Sequence, residues 1–467
     1  DEYVDPTDVE VVFPEQKRNL IYIFLESMEM TYADKENGGA FKQNVIPELT
    51  QLAQENEDFS GKSNKLNGGY SMPGTTWTMG AMFGQTSGLP LNISIDGNSM
   101  DTQDSFFPGI TTLGDILQNE GYSQTLLIGS EATFGGRKLY FTDHGQYDIM
   151  DYNYAHDNGL IPENYKVWWG YEDEKLFGFA KEKLLELAQQ DNPFNLTMLT
   201  VDTHFEDGYV CDICPDTFGD NQYANVMACS SRQVKEFIDW VQQQDFAADT
   251  TIVISGDHQT MDSDFCEDVD KDYERRVYTT YINADAEKQT EKKRKYTIFD
   301  DFPTTLSAMG AQIEGDRLGL GTNLFSAKET LSEKEGVTAE YNKMLKKSKL
   351  MEKLSDIDEE EYRRKEEEKV SPTADVKIKK TGKDNQVLIK VENIEHLKKG
   401  LQSITAAVWK NEDQSDLQWV NLAVFENGIC KTKVDLSNYE PMQGEYNVHI
   451  YIIDGKGDAH NVAGTTF

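Results

Sequence analysis

Four short apolar runs constrain this chain more than any other feature. Leu20-Ile21-Tyr22-Ile23-Phe24-Leu25 is unbroken and ends at Glu26-Ser27. Thr125-Leu126-Leu127-Ile128 ends at Gly129-Ser130, and Leu196-Thr197-Met198-Leu199-Thr200-Val201 ends at Asp202-Thr203-His204. Thr251-Ile252-Val253-Ile254-Ser255 ends at Gly256-Asp257-His258. Runs without polar alternation suit strands covered on both faces, as in a parallel sheet. Segments with helical spacing lie between them, at residues 46–54, 110–120, 172–190 and 231–244. Strands alternating with helices predict an α/β fold, a mostly parallel sheet sandwiched by helices. Ligands of such sheets bind at the carboxyl ends of the strands. Glu26, His204, Asp257 and His258 are therefore expected to gather at one edge although they are far apart in sequence.

A chain of 467 residues is too long for one ordinary domain. Residues 1–18 are polar and read as a lead-in, and residues 19–328 as the α/β domain. Lys, Glu and Asp then dominate, as in Lys346-Lys347-Ser348-Lys349, which predicts a charged helical linker over 329–370. Ser371-Pro372 closes it. Residues 371–467 switch to period two, clearest in Val376-Lys377-Ile378-Lys379, with further strands around 387–391, 406–409, 420–424 and 446–453. About this many short strands predict a β-sandwich of the Ig-like kind. His396, His449 and His460 are scattered there and form no catalytic constellation.

The net charge of −37 repels nucleic acid and bare anionic lipid, which excludes polynucleotide binding as a main role. Most of this acid reads as a solubilising surface, with the remainder available to hold divalent cations. No run approaches the ~20 apolar residues of a membrane-spanning helix, and there is no signal peptide. The chain opens Asp1-Glu2-Tyr3 without a methionine, which fits a processed form that has lost a membrane anchor. Cys211-Asp212-Ile213-Cys214 has the spacing of a redox or zinc pair, but no second such pair follows it. With Cys229, Cys266 and Cys430 it leaves three readings open: disulfides that pin a loop, free thiols, or zinc. Disulfides fit an oxidising, extracytoplasmic location.

Four pieces carry chemistry. Glu26 ends a buried strand, where a carboxylate is costly unless paired or bound to metal. Gly74-Thr75-Thr76-Trp77-Thr78-Met79-Gly80-Ala81-Met82 is a glycine turn running into a helix, whose free amides and dipole suit a phosphate. A hydroxyl in that first turn serves as a nucleophile or as a cap. Asp257 and His258, adjacent at a strand end, are placed to ligate one metal. His204 would contact a phosphate or protonate a leaving oxygen, or be structural.

In this order the pieces resemble the lipoteichoic acid synthase and phosphoglycerol transferase I families of the alkaline phosphatase and sulfatase superfamily. The resemblance runs over roughly residues 17–326 and includes Asn98-Ser99-Met100, Phe107-Pro108-Gly109, Trp169-Gly170-Tyr171-Glu172-Asp173 and Leu318-Gly319-Leu320-Gly321. It implies Glu26, Thr75, Asp257 and His258 as metal ligands, with manganese the expected ion and magnesium the alternative. It implies Thr75 as nucleophile, His204 as the phosphate or acid/base histidine, and Arg137 as a phosphate-binding arginine. Trp77 is placed either over the glycerol or in the core. The synthases carry a histidine shortly before that arginine, whereas Ile128-Gly129-Ser130-Glu131 has none.

The implied reaction is a two-step displacement. Thr75 attacks phosphatidylglycerol, diacylglycerol leaves, and a glycan or polyglycerophosphate (teichoic-acid-type) acceptor regenerates the threonine. The implied place is the outer face of a bacterial cell membrane, reached through an N-terminal anchor outside this sequence. A sulfatase would need a cysteine or serine at position 75, where threonine stands. A phosphoethanolamine transferase or phosphodiesterase would share the reaction class with another head group, and an inactive surface binding protein would keep the fold without metal. The C-terminal domain resembles the single β-sandwich repeats of Gram-positive surface proteins.

Overall fold

The computed structural model describes residues 2–383, 385–424, 428–440 and 442–467. The chain divides into two units, Asp1–Glu359 and Glu360–Phe467. Among the described residues no helix is long and apolar enough to cross a membrane.

The first unit is built on a seven-stranded sheet. Its strands are β1 (Asn19–Leu25), β2 (Gly68–Gly69), β3 (Ser123–Ile128), β4 (Asp148–Met150), β5 (Phe194–Leu199), β6 (Thr250–Gly256) and β7 (Val277–Ile282). They lie in the order β2-β7-β6-β1-β5-β3-β4. The strands β6, β1, β5, β3 and β4 run parallel, and β7 and β2 close one side antiparallel. In the middle, Leu20 to Phe24 pair with Asn195 to Leu199 on one side and with Thr251 to Ser255 on the other. This double pairing, with helices over both faces, explains why the apolar runs do not alternate.

The two faces of β1 separate cleanly. Ile21, Ile23 and Leu25 join a core with Leu49 and Leu52 of α1 (Pro47–Glu55), Leu176 and Leu184 of α5 (Asp173–Leu187), and Phe237 of α6 (Gln222–Gln242). On the other face Tyr22 stacks on Phe24 at 4.5 Å and donates to Gln85 Oε1 of α2 (Thr78–Ser87) at 2.8 Å. Each fully buried Leu or Ile contributes about 1.5–3 kcal/mol, so these faces hold the sheet rigid beneath its carboxyl edge. Two further helices, α3 (Leu113–Asn119) and α4 (Arg137–Asp143), flank β3 in sequence. The helix α7 (Asp301–Ala308) follows β7.

Three differences from the sequence reading have physical causes. The strand β7 escapes that reading because Thr279 and Thr280 interrupt its apolar run, yet every residue in it is buried. The helix α2 starts at Thr78 rather than directly after Gly74, since residues 74–77 are spent on a turn in which Gly74 has φ +82°. Residues 331–355, expected within a charged linker, form α8 (Leu331–Glu335), α9 (Val337–Met344) and α10 (Lys349–Ser355) of the first unit. Buried Leu331, Met351 and Leu354 anchor them, and Arg294 pairs with Glu333 at 2.8 Å. The helix α11 (Glu359–Lys369), charged at every position but Tyr362, keeps the character expected of the linker.

The second unit holds seven antiparallel strands, β8 (Thr373–Lys380), β9 (Gln386–Glu395), β10 (Leu401–Trp409), β11 (Gln418–Val424), β12 (Cys430–Asp435), β13 (Asn447–Asp454) and β14 (Ala459–Thr466). Their order is β8-β9-β12-β11-β10-β13-β14, wrapped around one core that includes Val387, Ile389, Ile404, Val408, Val448 and Ile450. The strands β12 and β14 lie outside the strands expected from sequence. In β12 Cys430 and Val434 are buried and Thr432 half-buried, alternating with exposed lysines.

Candidate active site

Three side chains from two adjacent strand ends converge below the carboxyl edge of the sheet. Glu26 follows β1, and Asp257 and His258 follow β6, whose last residue is Gly256. A Cβ at position 256 would fall 1.9 Å from the Met28 carbonyl oxygen, so glycine alone lets the two strand ends approach this closely. All three side chains are buried, and their ligand atoms lie within 4.8 Å of one another. His258 Nε2 is 3.4 Å from Glu26 Oε1 and 3.4 Å from Asp257 Oδ2.

The surrounding hydrogen bonds aim these atoms. His258 Nδ1 donates to the Gln259 carbonyl at 2.7 Å, which leaves Nε2 as the free ring nitrogen facing the carboxylates. Asp257 Oδ1 accepts from the backbone amides of Ser27 (2.8 Å) and His258 (2.7 Å). Asp257 Oδ2 and His258 Nε2 are both buried without a hydrogen-bond partner. Two orphaned lone-pair donors beside a buried glutamate are costly unless a cation sits among them. The donor set of two carboxylates and one imidazole therefore fits a divalent ion of the manganese, magnesium or zinc kind.

The charges are tightly coupled. Burial pushes the Asp257 carboxyl up, and the charge of Glu26 pushes it further. Burial alone would raise Glu26, but the His258 imidazole outweighs it and holds the carboxyl low. Burial disfavours the charged form of His258, yet Asp257 and Glu26 together lift it well above its ordinary value. A bound cation would take over the neutralising role that the imidazolium otherwise fills.

Above this cluster opens a cleft of about 430 Å³ lined by Glu26, Thr78, Phe134, Arg137, Trp169 and His204, among others. Thr78 is the first residue of α2, which carries no side-chain cap. Its Oγ1 donates to Glu26 Oε2 at 3.1 Å. The first helical bond of α2 runs from the Ala81 amide to the Trp77 carbonyl at 2.9 Å, so the amides of residues 78–80 precede it and are open to an anion.

Arg137 opens α4 behind two left-handed glycines, Gly135 (φ +69°) and Gly136 (φ +78°). It is buried, donates to the Glu131 carbonyl at 2.8 Å, and keeps its Nε without a partner. Burial lowers its pKa to about 10, against the pull of Glu26, Asp151 and Asp257, so it remains a cation at neutral pH. His204 Nδ1 donates to the Phe205 carbonyl at 2.7 Å, which frees Nε2 for the cleft, and its ring lies 4.9 Å from that of Trp169. Its loop is tied to α5, because Asp173 accepts the amides of Val201 (2.8 Å) and Asp202 (3.1 Å).

Most of the residues expected from sequence meet here: Glu26, Asp257, His258, His204 and Arg137. Two do not. Thr75 lies in the turn before the helix, where its hydroxyl donates to the Met72 carbonyl and accepts the Met72 amide, both at 2.8 Å. Its proton and an acceptor position are thus committed to the backbone, and it does not line the cleft. Trp77 is half-buried with its ring beside Gly80 and Gly97, its indole nitrogen is buried without a partner, and it does not line the cleft. The residues that sequence reasoning missed are Thr78, Trp168, Trp169 and Phe134. The half-exposed aromatics sit in irregular segments whose direction no periodicity reveals, and Thr78 is one of three hydroxyls after Gly74 among which residue types do not choose.

A parallel sheet with a carboxylate and imidazole cluster at its carboxyl edge, facing a helix-terminal hydroxyl, defines the class of the alkaline phosphatase superfamily. Comparison with known proteins agrees. A family model described as Sulfatase matches residues 18–311, and one described as GBS Bsp-like repeat matches residues 376–467. The chain belongs to the sulfatase family. It is 32% identical over 329 residues to phosphoglycerol transferase I of Escherichia coli (strain 55989 / EAEC), a match covering 68% of this chain and 40% of that protein. The same figures hold for phosphoglycerol transferase I of Shigella boydii serotype 18. The chain thus spans 40% of the length of these curated relatives. In fold it is similar to the lipoteichoic acid synthase LtaP of Listeria monocytogenes, with TM-score 0.51, 17% identity, and 69% of this chain and 82% of that chain covered.

Proposed function

We propose that this chain is the extracytoplasmic catalytic part of a metal-dependent phosphoglycerol transferase, with phosphatidylglycerol as donor and a glycan or polyglycerophosphate as acceptor. The observation that carries the reading is the buried Glu26, Asp257 and His258 cluster with two orphaned ligand atoms, set against the Thr78 hydroxyl at 3.1 Å from Glu26. The 32% identity to phosphoglycerol transferase I supports the choice of donor. Glu26, Asp257, His258 and the Thr78 oxygen would hold the ion, with manganese the expected metal. When bound, the ion lowers the pKa of a hydroxyl and neutralises phosphate oxygens.

The chain's own residues do the rest. Thr78 Oγ1 passes its proton to Glu26 Oε2, to which it donates, and attacks phosphorus as the P–O bond to diacylglycerol breaks. His204 Nε2 protonates the departing glyceride oxygen. The product is a glycerophosphoryl ester on Thr78. The acceptor hydroxyl then gives its proton to His204 and attacks the same phosphorus, and the departing Thr78 oxygen takes its proton back from Glu26. Arg137 and the open amides at the start of α2 hold the charge on the non-bridging oxygens. Trp169, Trp168 and Phe134 form an apolar wall for the glycerol backbone of the donor or the sugar ring of the acceptor. The second unit positions the enzyme or touches wall glycan. Unchanged acceptor use in cells after deletion of residues 373–467 would contradict that role.

The test uses two lipids in parallel. With manganese, the purified chain should release diacylglycerol from phosphatidylglycerol and leave phosphatidylethanolamine intact. The reverse preference would make it a phosphoethanolamine transferase. Cleavage of neither, with no manganese bound, would leave a surface binding protein.

A further inference from the structure

The catalytic reading makes no use of the three cysteines Cys211, Cys214 and Cys229. The first two lie in the loop between His204 and α6, and the third lies within α6. All five cysteines of the chain are free thiols here. Cys211 Sγ is 3.4 Å from Cys214 Sγ and 3.8 Å from Cys229 Sγ, and the three sulfurs lie within 4.8 Å of one another. Zinc–sulfur bonds of about 2.3 Å at tetrahedral angles place neighbouring sulfurs about 3.8 Å apart, close to these separations.

The backbone and the neighbouring side chains fit the same purpose. The Cys214 amide donates to the Cys211 carbonyl at 3.1 Å, so the pair turns tightly and presents both sulfurs on one side. Gln233 Nε2 (3.4 Å) and an Arg232 guanidinium nitrogen (3.9 Å) face Cys229 Sγ, and such donors stabilise a thiolate cluster from outside. Three mutually close sulfurs exceed what one disulfide uses, whereas they supply three corners of one tetrahedron.

We propose that Cys211, Cys214 and Cys229 bind one zinc-class divalent ion as thiolates, with a water molecule in the fourth position. The ion clamps the loop that follows His204 onto α6. Binding releases three thiol protons to solvent and involves no change of oxidation state.

The test takes the full chain, stripped of metal and kept reduced, and adds cobalt(II) alone. Sulfur-to-cobalt charge transfer absorbs strongly in the near ultraviolet, and the site of Glu26, Asp257 and His258 contains no sulfur. The expected result is a band that saturates at one cobalt per chain and disappears when zinc is added. Glu26→Gln should keep the band, and Cys229→Ser and Cys214→Ser should lose it. A second measurement needs no variant. Intact mass of the chain as isolated should show a retained ion under native conditions and three more alkylatable thiols after chelation. Absence of the band in the reduced chain would overturn the proposal. So would a mass lower by two hydrogens whose thiols resist alkylation until reduction, which would mean a disulfide.

Discussion

Thr78 and Thr75 are three positions apart, and their hydroxyls do different things. The Thr78 hydroxyl faces Glu26 across 3.1 Å, whereas that of Thr75 is closed into a backbone turn with Met72. Thr78→Ala should therefore lower diacylglycerol release by a factor on the order of 10³ or more without loss of stability, as for removal of a nucleophile. Thr75→Ala should keep most of the turnover and lose about 1–3 kcal/mol of stability in a denaturant titration, because it leaves backbone groups of Met72 unpaired. At this scale Asp257-His258 was legible because two ionisable side chains in a row, at the end of an apolar run, are costly to bury without a cation. Thr78 was not, because Gly74-Thr75-Thr76-Trp77-Thr78 offers three hydroxyls. Which of them opens the helix depends on how many residues the turn consumes, a backbone matter that residue types leave open.

Secondary elements were legible wherever burial imposed one pattern. The runs of β1, β3, β5 and β6 declared themselves because both faces are covered. The strands β7 and β12 did not, since buried threonines and exposed lysines imitate loops. The helices α8 to α10 read as solvated because charges outnumber their few anchors. One of those charges is itself buried. Burial pushes the Glu340 carboxyl from 4.5 to about 7, while Ser332 donates to it. An acid raised in the folded state is held protonated there, so the native chain loses stability as pH rises from about 4.5 through about 7. Glu340→Gln should leave Tm nearly unchanged at pH 4.5 and raise stability at pH 8 by up to about 3 kcal/mol. Equal effects at both pH values would contradict the assignment. Gly256→Ala should act in the opposite direction at any pH, since the added methyl would lie 1.9 Å from the Met28 carbonyl oxygen. It should lower Tm and weaken manganese binding together.

For the whole molecule, the division at Glu359 gives each unit its own core. A chain ending at residue 359 should therefore fold and retain diacylglycerol release, measured against the full chain at equal concentration. Manganese at about 100 times its dissociation constant should stabilise the wild type by about 2.7 kcal/mol, and Glu26→Gln should abolish most of that gain. The surface charge of −37 played its part at this scale by excluding nucleic acid, but it could not say where the cation sits. That location came from strand ends far apart in sequence, which the parallel order of β6, β1 and β5 brings side by side.

In the proposed reaction Thr78 carries the glycerophosphoryl group between donor and acceptor. Mass spectrometry of peptides from the chain, quenched with phosphatidylglycerol and manganese in the absence of acceptor, tests it most directly. The expected result is one added glycerophosphoryl group, located by fragmentation on Thr78 and absent after chelation. The same group on Thr75, or steady diacylglycerol release with no modified threonine at all, would contradict it.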